Sequence, residues 1–491
     1  MSKIRNSTRG GYRFKNFKGK PAAKVENSTV PGKVTIPLRQ GFGTEVEPVV
    51  TVGEHVSSGQ IIGRNDETIS SPVHASVAGN VTDIREILVA GDKQQAIIIE
   101  TDAGFRFSNE STSLLAGHSS DWKTLDSERL GELIYLSGVS ALASGGIPTQ
   151  YRSSPIEPME VESILVLGLE DEPLSPSLNA ILPASRYSDF LDGIRMLKRV
   201  LPEASAHIAI DTAHKDLINS LSQHIGDEDE IELRAVKGKF PYSWEEVAVP
   251  MVFGKRVPSG HQAVNIGIVV VSVQTVLHVF DAIANGIPMI ERTIAMAGEG
   301  FAEPQHVRVP VGVSIGELTK ERLVGRERYR IVRDSLLTGH AVGEDEEPIV
   351  RVSRALYAIP ELTFTGKFSF MGPGTDSDSY SKTFIPIGKK KIDTNLHGEE
   401  RACLSCSFCA EVCPAGIQPN ILHRYVINEL FSETLLQFKI FDCIECNLCS
   451  YVCPSKIPVA NLMREGKKRM TDEGFSSHEV TESHQKLKGV Q

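Results

Sequence analysis

The chain has 491 residues, of which 41% are hydrophobic and 23% are charged, and its formal net charge is −10. At about 150 residues per domain, this length predicts three or four globular domains. The acidic balance argues against nucleic acid as the main partner. Because no run of about 18 uninterrupted apolar residues is present, we predict no transmembrane helix and expect any membrane association to be peripheral.

The N-terminal residues 1–28 predict a basic, flexible tail. The first 24 residues carry eight lysines or arginines and no acidic side chain. A solvated, disordered segment is the expected state of such a composition, although contact with anionic lipid or an acidic partner is an alternative.

Residues 29–110 predict a compact β domain. Short β-rich runs such as VTIPL and AIIIETD alternate with Gly, Pro, Asn and Asp, which is typical of small sandwiches. The segments VGEHVSSGQIIG and SPVHASVAGNVTDI resemble the two halves of a biotinyl/lipoyl-like barrel sandwich. No lysine stands at the hairpin tip, so no swinging arm is implied, and His74 there is expected to be a buried, hydrogen-bonded histidine.

Apolar strand-like runs alternate with amphipathic helical runs over residues 125–302, which predicts an α/β domain with a partly parallel sheet. Its glycine-rich segment SGVSALASGGIPTQYR is typical of turns that approach a phosphate or a flavin, although a simple turn before a helix explains it equally well. Residues 303–365 predict a β-grasp-like module, and residues 366–400 a linker.

Two copies of one cysteine pattern follow, CLSCSFCAEVCP and CIECNLCSYVCP, and together they contain all eight cysteines of the chain. The spacing C-x2-C-x2-C-x3-C-P is that of two-cluster ferredoxins, in which the fourth cysteine of each run binds the other cluster. The rule predicts two [4Fe-4S] clusters, one held by Cys403, Cys406, Cys409 and Cys453 and the other by Cys443, Cys446, Cys449 and Cys413.

Disulfides and zinc are the alternatives to iron-sulfur clusters. Disulfides require an oxidising compartment, and no signal peptide is recognisable. Structural zinc sites usually pair two C-x2-C units, without the third cysteine and the following proline. Apolar residues between the two runs recur at helical spacing, so residues 401–470 predict an α-helical ferredoxin module, followed by a flexible tail at 471–491.

The order of these parts resembles the C subunit of the Rnf complex, a membrane-bound electron-transfer assembly, with features of the homologous A subunit of the sodium-translocating NADH:quinone reductase. The resemblance covers about residues 34–470 and rests on ordered segments, among them IPLRQGFG, SPVHASVAG, GGIPT, EDEP, GKRVPSG, NIGIVVVSVQT, GVSIGEL and DCIECNLCSYVCPSKIP. It implies a central domain related to the flavin subunit of respiratory complex I, an SLBB-like β-grasp module, and a peripheral position on the cytoplasmic side of the membrane.

In that family the central domain is taken to bind FMN and NADH, and the matching positions here are Gly145, Gly146, Thr149, Arg152, Glu170 and Glu172. The family loop reads roughly G-G-A-G-F-P-T, whereas this chain has Ala143 and Ser144 in place of two glycines and Ile147 in place of the aromatic residue. Each added Cβ takes space and restricts positive φ. The acidic turn at Glu170 and Glu172 is kept.

Three functions follow as expectations. The first is an electron-transfer subunit that passes electrons between NADH, through FMN, and the membrane subunits of an Rnf-type ion-translocating complex by way of the two clusters. The second is an iron-sulfur relay that has lost FMN and NADH and exchanges electrons with ferredoxin, a quinone or a cytochrome. The third is a soluble flavin reductase for a corrinoid or a quinone.

Overall fold

The computed structural model describes residues 10–14, 17–67, 70–106, 113–141, 147–148, 161–170, 172–226, 229–324, 329–343, 346–360 and 400–475, with the backbone alone at 141, 147 and 148. The predicted linker at 366–400 therefore lies outside the described residues except for Glu400, and so do residues 1–9 and 476–491 of the predicted tails.

The N-terminal module is an antiparallel sandwich of two small sheets. One sheet has the order β2-β8-β7-β4 and the other β3-β5-β6. Alternate residues such as Val34 and Ile36 in β2 point into the core between the sheets, which is the periodicity expected of a half-buried strand. The strands are β2 Lys33–Pro37, β3 Glu47–Pro48, β4 His55–Val56, β5 Ile61–Arg64, β6 Val73–His74, β7 Gly79–Val89 and β8 Asp92–Thr101.

The barrel-sandwich prediction is confirmed, and His74 is buried in it. Its Nδ1 accepts a hydrogen bond from Arg351 Nη2 at 2.9 Å. Burial and the charge of Arg351 hold the pKa of His74 well below its ordinary value, so the imidazole is neutral and Nδ1 is free to accept. As predicted, His74 is buried and hydrogen-bonded.

The central α/β domain contains a parallel four-stranded sheet with the order β13-β12-β11-β14. Within β11, Ile164 and Val166 face one hydrophobic core and Leu165 and Leu167 face the other, as in sheets covered on both faces. The strands are β11 Ser163–Gly168, β12 Ser205–Asp211, β13 Ile231–Val236 and β14 Ile268–Ser272. The helices are α1 Ser127–Leu136, α2 Leu178–Ile181, α3 Tyr187–Val200, α4 Lys215–His224, α5 Glu245–Phe253 and α6 Val273–Ala284.

A six-stranded mixed sheet has the order β1-β16-β15-β19-β17-β18. It combines β1, which precedes the sandwich in the chain, with five strands that follow the α/β domain. Its strands are β1 Ala22–Asn27, β15 Glu291–Ala297, β16 Gln305–Pro310, β17 Tyr329–Arg333, β18 His340–Ala341 and β19 Ala355–Pro360, and helix α7 Ile315–Thr319 follows β16. Strand β15 lies at a position where the sequence predicted part of the α/β domain, but it pairs with β16 and β19.

The prediction of a flexible tail over residues 1–28 is wrong for the residues of β1. Val25, Glu26 and Asn27 pair in parallel with β16, so the sheet supplies partners for backbone groups that a free tail would leave to water. Upstream of β1, Gly11 donates its backbone N–H to Val412 O at 2.7 Å. The basic composition of this segment predicted a solvated tail. Hydrogen bonding between backbone groups does not depend on composition, so the strand could not be predicted from it.

The C-terminal module is helical, as predicted. Its helices are α8 Phe408–Glu411, α9 Pro419–Ile427, α10 Glu433–Gln437, α11 Leu448–Tyr451 and α12 Val459–Asp472. Leu422 of α9 and Met463 of α12 are fully buried in one core. Helix α12 ends two residues inside the predicted C-terminal tail, which is an ordinary uncertainty for a helix end.

Candidate flavin and iron-sulfur sites

Two cavities in the C-terminal module are lined by four cysteines each. The first cysteine cavity is lined by Cys403, Cys406, Cys409 and Cys453, and the second by Cys413, Cys443, Cys446 and Cys449. Their volumes are about 340 and 350 Å³, including space open to solvent. In the described part of the chain no group of His, Cys, Asp or Glu is arranged to hold a single metal ion, whereas the thiols surround a larger space. The structure thus brings together the two groups that the spacing rule predicts.

Both cysteine motifs repeat the same unusual backbone turns. The residues on each side of the second cysteine have positive φ, namely Ser405, Ser407, Glu445 and Asn447. Non-glycine residues rarely adopt this conformation, which costs about 1–3 kcal/mol each when it is forced. Its occurrence at equivalent positions indicates that the motif requires it. The reversal on both sides of one cysteine curls the loop around the cavity.

Burial dominates the electrostatics of four of the eight thiols, those of Cys409, Cys443, Cys446 and Cys449. It raises the pKa of Cys409 and of Cys446 to about 12, and that of Cys443 to about 11. Burial also raises the pKa of Cys403, but hydrogen bonds from Arg424 and from the backbone N–H of Ser405 outweigh it, so the pKa falls below its ordinary value. Buried thiols are protonated at neutral pH, and binding of a metal group must displace those protons.

A crevice opens at the carboxyl ends of β11 and β14, in the α/β domain. In the sheet, β12 lies on one side of β11 and β14 lies on the other. The strand order therefore reverses between β11 and β14. Ligands of open α/β sheets bind at such points. The crevice measures about 840 Å³ including space open to solvent. Its lining includes Glu170, Glu172, Trp244 and Arg292.

Glu170 and Glu172, both predicted as cofactor contacts, line this crevice. Glu170 Oε1 accepts from the backbone N–H of Leu178. Glu172 Oε1 accepts from the backbone N–H of Leu336 at 2.8 Å and from the hydroxyl of Ser335. Each carboxylate therefore has at least one oxygen engaged by the protein itself, and Glu172 fixes a turn of the mixed sheet.

Arg292 forms a cationic part of the crevice wall. Its side chain is 1% exposed, and Nε and Nη2 both donate to Ser353 O at 3.2 Å. Nη1 is buried and has no hydrogen-bond partner among the residues that the structure describes. Burial lowers the pKa of Arg292 to about 9, which leaves the guanidinium charged at neutral pH. A buried cationic donor without an acceptor is costly, so an anionic group in the crevice suits this residue.

Helix α6 begins at the same wall. Ser272 is its N-cap, and Ser272 Oγ accepts from the backbone N–H of Thr275 at 3.1 Å. The first N–H groups of a helix and its dipole both favour negative charge. Together with Arg292, this helix end makes the crevice suited to a phosphate-bearing cofactor such as FMN.

The predicted glycine-rich loop lies mostly outside the described residues, and this applies to Ala143, Ser144, Gly145, Gly146, Thr149 and Arg152. The backbone on both sides of 142–146 is described, as β9 Ser140–Ala141 and β10 Ile147–Pro148, which pair antiparallel. Thr275 Oγ1 donates to Ser140 O at 3.1 Å. The strand leading into the loop therefore starts beside the first turn of α6.

The second cysteine cavity is attached to the crevice wall. Asn447, directly after Cys446, donates from Nδ2 to Leu337 O at 2.6 Å. Leu337 belongs to the turn that Glu172 holds from the crevice side. A second attachment is made by Asp442, the residue directly before Cys443. Its Oδ2 forms an ion pair with Arg256 Nη2 at 2.6 Å.

Trp244, Arg292 and the turn at residues 335–338 were not predicted from the sequence. The start of α6 could have been predicted from the sequence, because the Ser272-x-x-Thr275 pattern directly after a strand is a helix-start signal. Arg292 carries no local signal, because an arginine in a strand is usually exposed and only the tertiary fold buries it.

Three stretches of the chain match protein-family models. Residues 6–104 match the RnfC barrel sandwich hybrid domain, residues 134–281 the Nuo51 FMN-binding domain, and residues 402–457 the 4Fe-4S dicluster domain. The matches fall on the sandwich, the crevice-bearing domain and the cysteine cavities, and they support FMN and [4Fe-4S] clusters as cofactors.

Similar proteins include the C subunit of the proton-translocating ferredoxin:NAD(+) oxidoreductase complex of Clostridium ljungdahlii, which is 26% identical over 445 residues, 89% of this chain and 88% of the relative. The C subunit of the ion-translocating oxidoreductase complex of Pectobacterium carotovorum is 28% identical over 442 residues, 89% of this chain. The chain spans about half of that relative, 54% of its length. A solved NAD+-reducing [NiFe]-hydrogenase is 15% identical with a TM-score of 0.45, over 71% of this chain and 63% of its own.

Proposed function

We propose, on the premise that the chain belongs to the RnfC family of C subunits of ion-translocating oxidoreductase complexes, that it passes electrons between a nicotinamide nucleotide and the other subunits of such a complex. The electrons enter or leave at FMN in the crevice and cross two [4Fe-4S] clusters, one in each cysteine cavity. The members of each ligand set are the cysteines that line that cavity.

One observation carries this proposal. The crevice and the second cysteine cavity are joined through a single turn, because Glu172 binds Leu336 and Leu337 from one side and Asn447 binds Leu337 from the other. Two redox sites that share a wall are suited to electron exchange. A crevice that served an unrelated ligand would gain nothing from this position.

The residues of the crevice fit FMN. The first turn of α6 and Arg292 Nη1 would hold its phosphate, whereas Trp244 offers an apolar surface. Gly145, Gly146, Thr149 and Arg152 would complete the site from the loop that follows β9. Bound FMN supplies the exchange between a two-electron hydride donor and one-electron carriers such as iron-sulfur clusters.

The partners we propose are the membrane subunits of an Rnf-type complex, with the chain bound peripherally on the cytoplasmic side. Support comes from the relatives, whose names describe them as C subunits of translocating complexes. Within the described residues no helix has the length and apolarity needed to cross a bilayer. Ferredoxin is the alternative soluble partner.

The test is a cofactor count and a reduction assay on anaerobically purified full-length protein. We expect about eight irons per chain from two [4Fe-4S] clusters, together with stoichiometric FMN. Addition of NADH should bleach the visible absorbance of the clusters. Clusters that bleach only with an artificial reductant, in protein saturated with FMN, would contradict NADH as the donor.

The relay without a flavin is the second candidate, and the replacement of two family glycines by Ala143 and Ser144 favours it. Protein that contains both clusters, takes up no FMN and is reduced by ferredoxin would establish this function. Restoring glycine at both positions should then restore FMN binding, whereas a chain that already binds FMN stoichiometrically is not a flavin-free relay.

A further inference from the structure

We infer that the two cysteine cavities have different places in the electron path. The second cavity holds the inner cluster, which exchanges electrons with the crevice, and the first cavity holds the outer cluster, which faces the next redox protein. This inference rests on the proposed function and adds to it the order of the two clusters and the side on which the partner docks.

The hydrogen bonds around Leu337 place the second cavity against the crevice. Glu172 Oε1 accepts from Leu337 N at 3.4 Å, and Leu337 O accepts from Asn447 Nδ2 at 2.6 Å. Asn447 follows Cys446 directly in the chain. A single residue of the turn thus separates a side chain of the crevice from the loop that curls around the second cavity.

Packed side chains fill the rest of this boundary. Trp244 lines the crevice, and its ring lies 6.0 Å from that of Phe240, at 78° between the planes. Phe240 belongs to one hydrophobic core with Cys446 and Leu448 of the second motif, and Val412 of the first motif is part of the same core. Close-packed protein without voids is the medium that electron tunnelling favours, so this boundary conducts better than a solvent gap of equal width.

Two further contacts fix the same cysteine motif to the α/β domain. Arg256 pairs with Asp442 at 2.6 Å, and Ser259 Oγ donates to Phe441 O at 2.6 Å. Asp442 precedes Cys443 directly. The second motif is therefore anchored immediately before its first cysteine, and again directly after its second by Asn447.

The first cavity is open where the second is covered. Cys406 is exposed, and its neighbour Leu404 has 70% of its surface exposed, whereas Cys446, the equivalent of Cys406, is 8% exposed. The hydroxyl of Ser407, the equivalent of Asn447, accepts a hydrogen bond from Asn420 Nδ2 at 3.4 Å, within the same module. An exposed apolar residue beside a cluster ligand suits a transient redox partner, because such contacts are small and partly apolar.

The two cavities also lie side by side. Cys413 leaves the first motif to complete the second cavity, and Cys453 leaves the second motif to complete the first. An electron that reaches the inner cluster has the outer cluster as its neighbour, and the order is crevice, inner cluster, outer cluster, partner.

The test uses full-length reduced protein and electron paramagnetic resonance with a soluble paramagnetic lanthanide chelate, which speeds the relaxation of exposed centres. Cys406→Ser and Cys446→Ser identify which signal belongs to which cluster. We expect a several-fold larger enhancement for the signal that Cys406→Ser alters. Equal enhancement, or a larger one for the other signal, overturns the order. If a serine variant loses its cluster, the iron content shows the loss and the remaining signal identifies the other cluster.

A matched pair of glycine variants tests the link to the crevice. Asn447→Gly and Ser407→Gly each remove one side chain at equivalent positions, and glycine tolerates the positive φ of both. We expect Asn447→Gly to slow cluster reduction from NADH several-fold, with reduction by dithionite unchanged, and Ser407→Gly to change neither. The reverse pattern overturns the inference. Wild-type protein without clusters would instead contradict the proposed function itself.

Discussion

Glu172 Oε1 accepts a hydrogen bond from the backbone N–H of Leu336 at 2.8 Å, and this contact joins the acidic turn after β11 to the mixed sheet. The same oxygen accepts from Leu337 N at 3.4 Å and from the hydroxyl of Ser335. A carboxylate expected from the sequence to contact a cofactor is therefore also the residue that holds a wall of the crevice.

Glu172→Ala should loosen that wall. Hydrogen bonds to a charged group contribute about 1.5–3 kcal/mol, so amide hydrogen exchange at Ser335 to Thr338 should accelerate, while exchange in the sandwich stays unchanged. Glu172→Gln keeps an acceptor oxygen and should give a smaller effect. Equal exchange in wild-type and Glu172→Ala protein would show that the turn is held by other contacts.

Arg292→Met should weaken FMN through the phosphate. Loss of a charge-assisted hydrogen bond of about 1.5–3 kcal/mol corresponds to roughly a 10- to 100-fold increase in Kd, measured by quenching of flavin fluorescence. Riboflavin, which has no phosphate, is the matched ligand, and its affinity should not change. An equal loss for FMN and riboflavin would mean that Arg292 shapes the crevice without touching the phosphate.

If the fourth cysteine of each motif binds the cluster in the other cavity, this crossing predicts which cysteine variants alter the same cluster. Cys413→Ser should alter the same paramagnetic signal as Cys443→Ser, and Cys453→Ser the same signal as Cys403→Ser, because the fourth cysteine of each motif lines the other cavity. Serine keeps a ligand oxygen, which limits loss of the cluster. Variants that pair by motif, Cys413→Ser with Cys403→Ser, would refute the crossing.

The cysteine sites were predictable because their information is local. A spacing rule encodes both the turns and the crossing of Cys413 and Cys453, and apolar periodicity encodes the helices around them. Glu170 and Glu172 were predicted through a family resemblance, but their hydrogen bonds to distant backbone groups were not. Such bonds join residues that only the fold brings together. Arg292 and Ser353, for example, are hydrogen-bonded although they lie 61 positions apart in the chain.

Strand β1 illustrates the same limit. Only three of its six residues are apolar, and their partners in β16 lie about 280 residues away in the chain. Pairing at a sheet edge is made by backbone groups and needs no apolar pattern. The composition therefore predicted a tail where the fold has a strand.

His306 makes the attachment of β1 sensitive to pH. Its Nδ1 donates to Ala22 O in β1, and its Nε2 accepts from the backbone N–H of Ser177 at 2.9 Å. This pair of bonds requires the neutral ring. Burial lowers the pKa of His306 below its ordinary value, although the bond to Ala22 and the charge of Glu170 oppose the shift.

Because the folded state has the lower pKa, the unfolded state binds a proton first as the pH falls. The contribution of His306 to stability is complete above its ordinary pKa and is lost as the pH falls through that value toward the folded pKa. We expect the protection of the Val25 to Asn27 amides against hydrogen exchange, corrected for intrinsic rates, to fall between about pH 7.5 and about pH 5.5. His306→Gln keeps one donor and one acceptor but does not titrate, and it should reduce this fall. Since His74 and His278 are present in both proteins, their titration cancels in the comparison, and an identical fall in both would assign the pH dependence to groups other than His306.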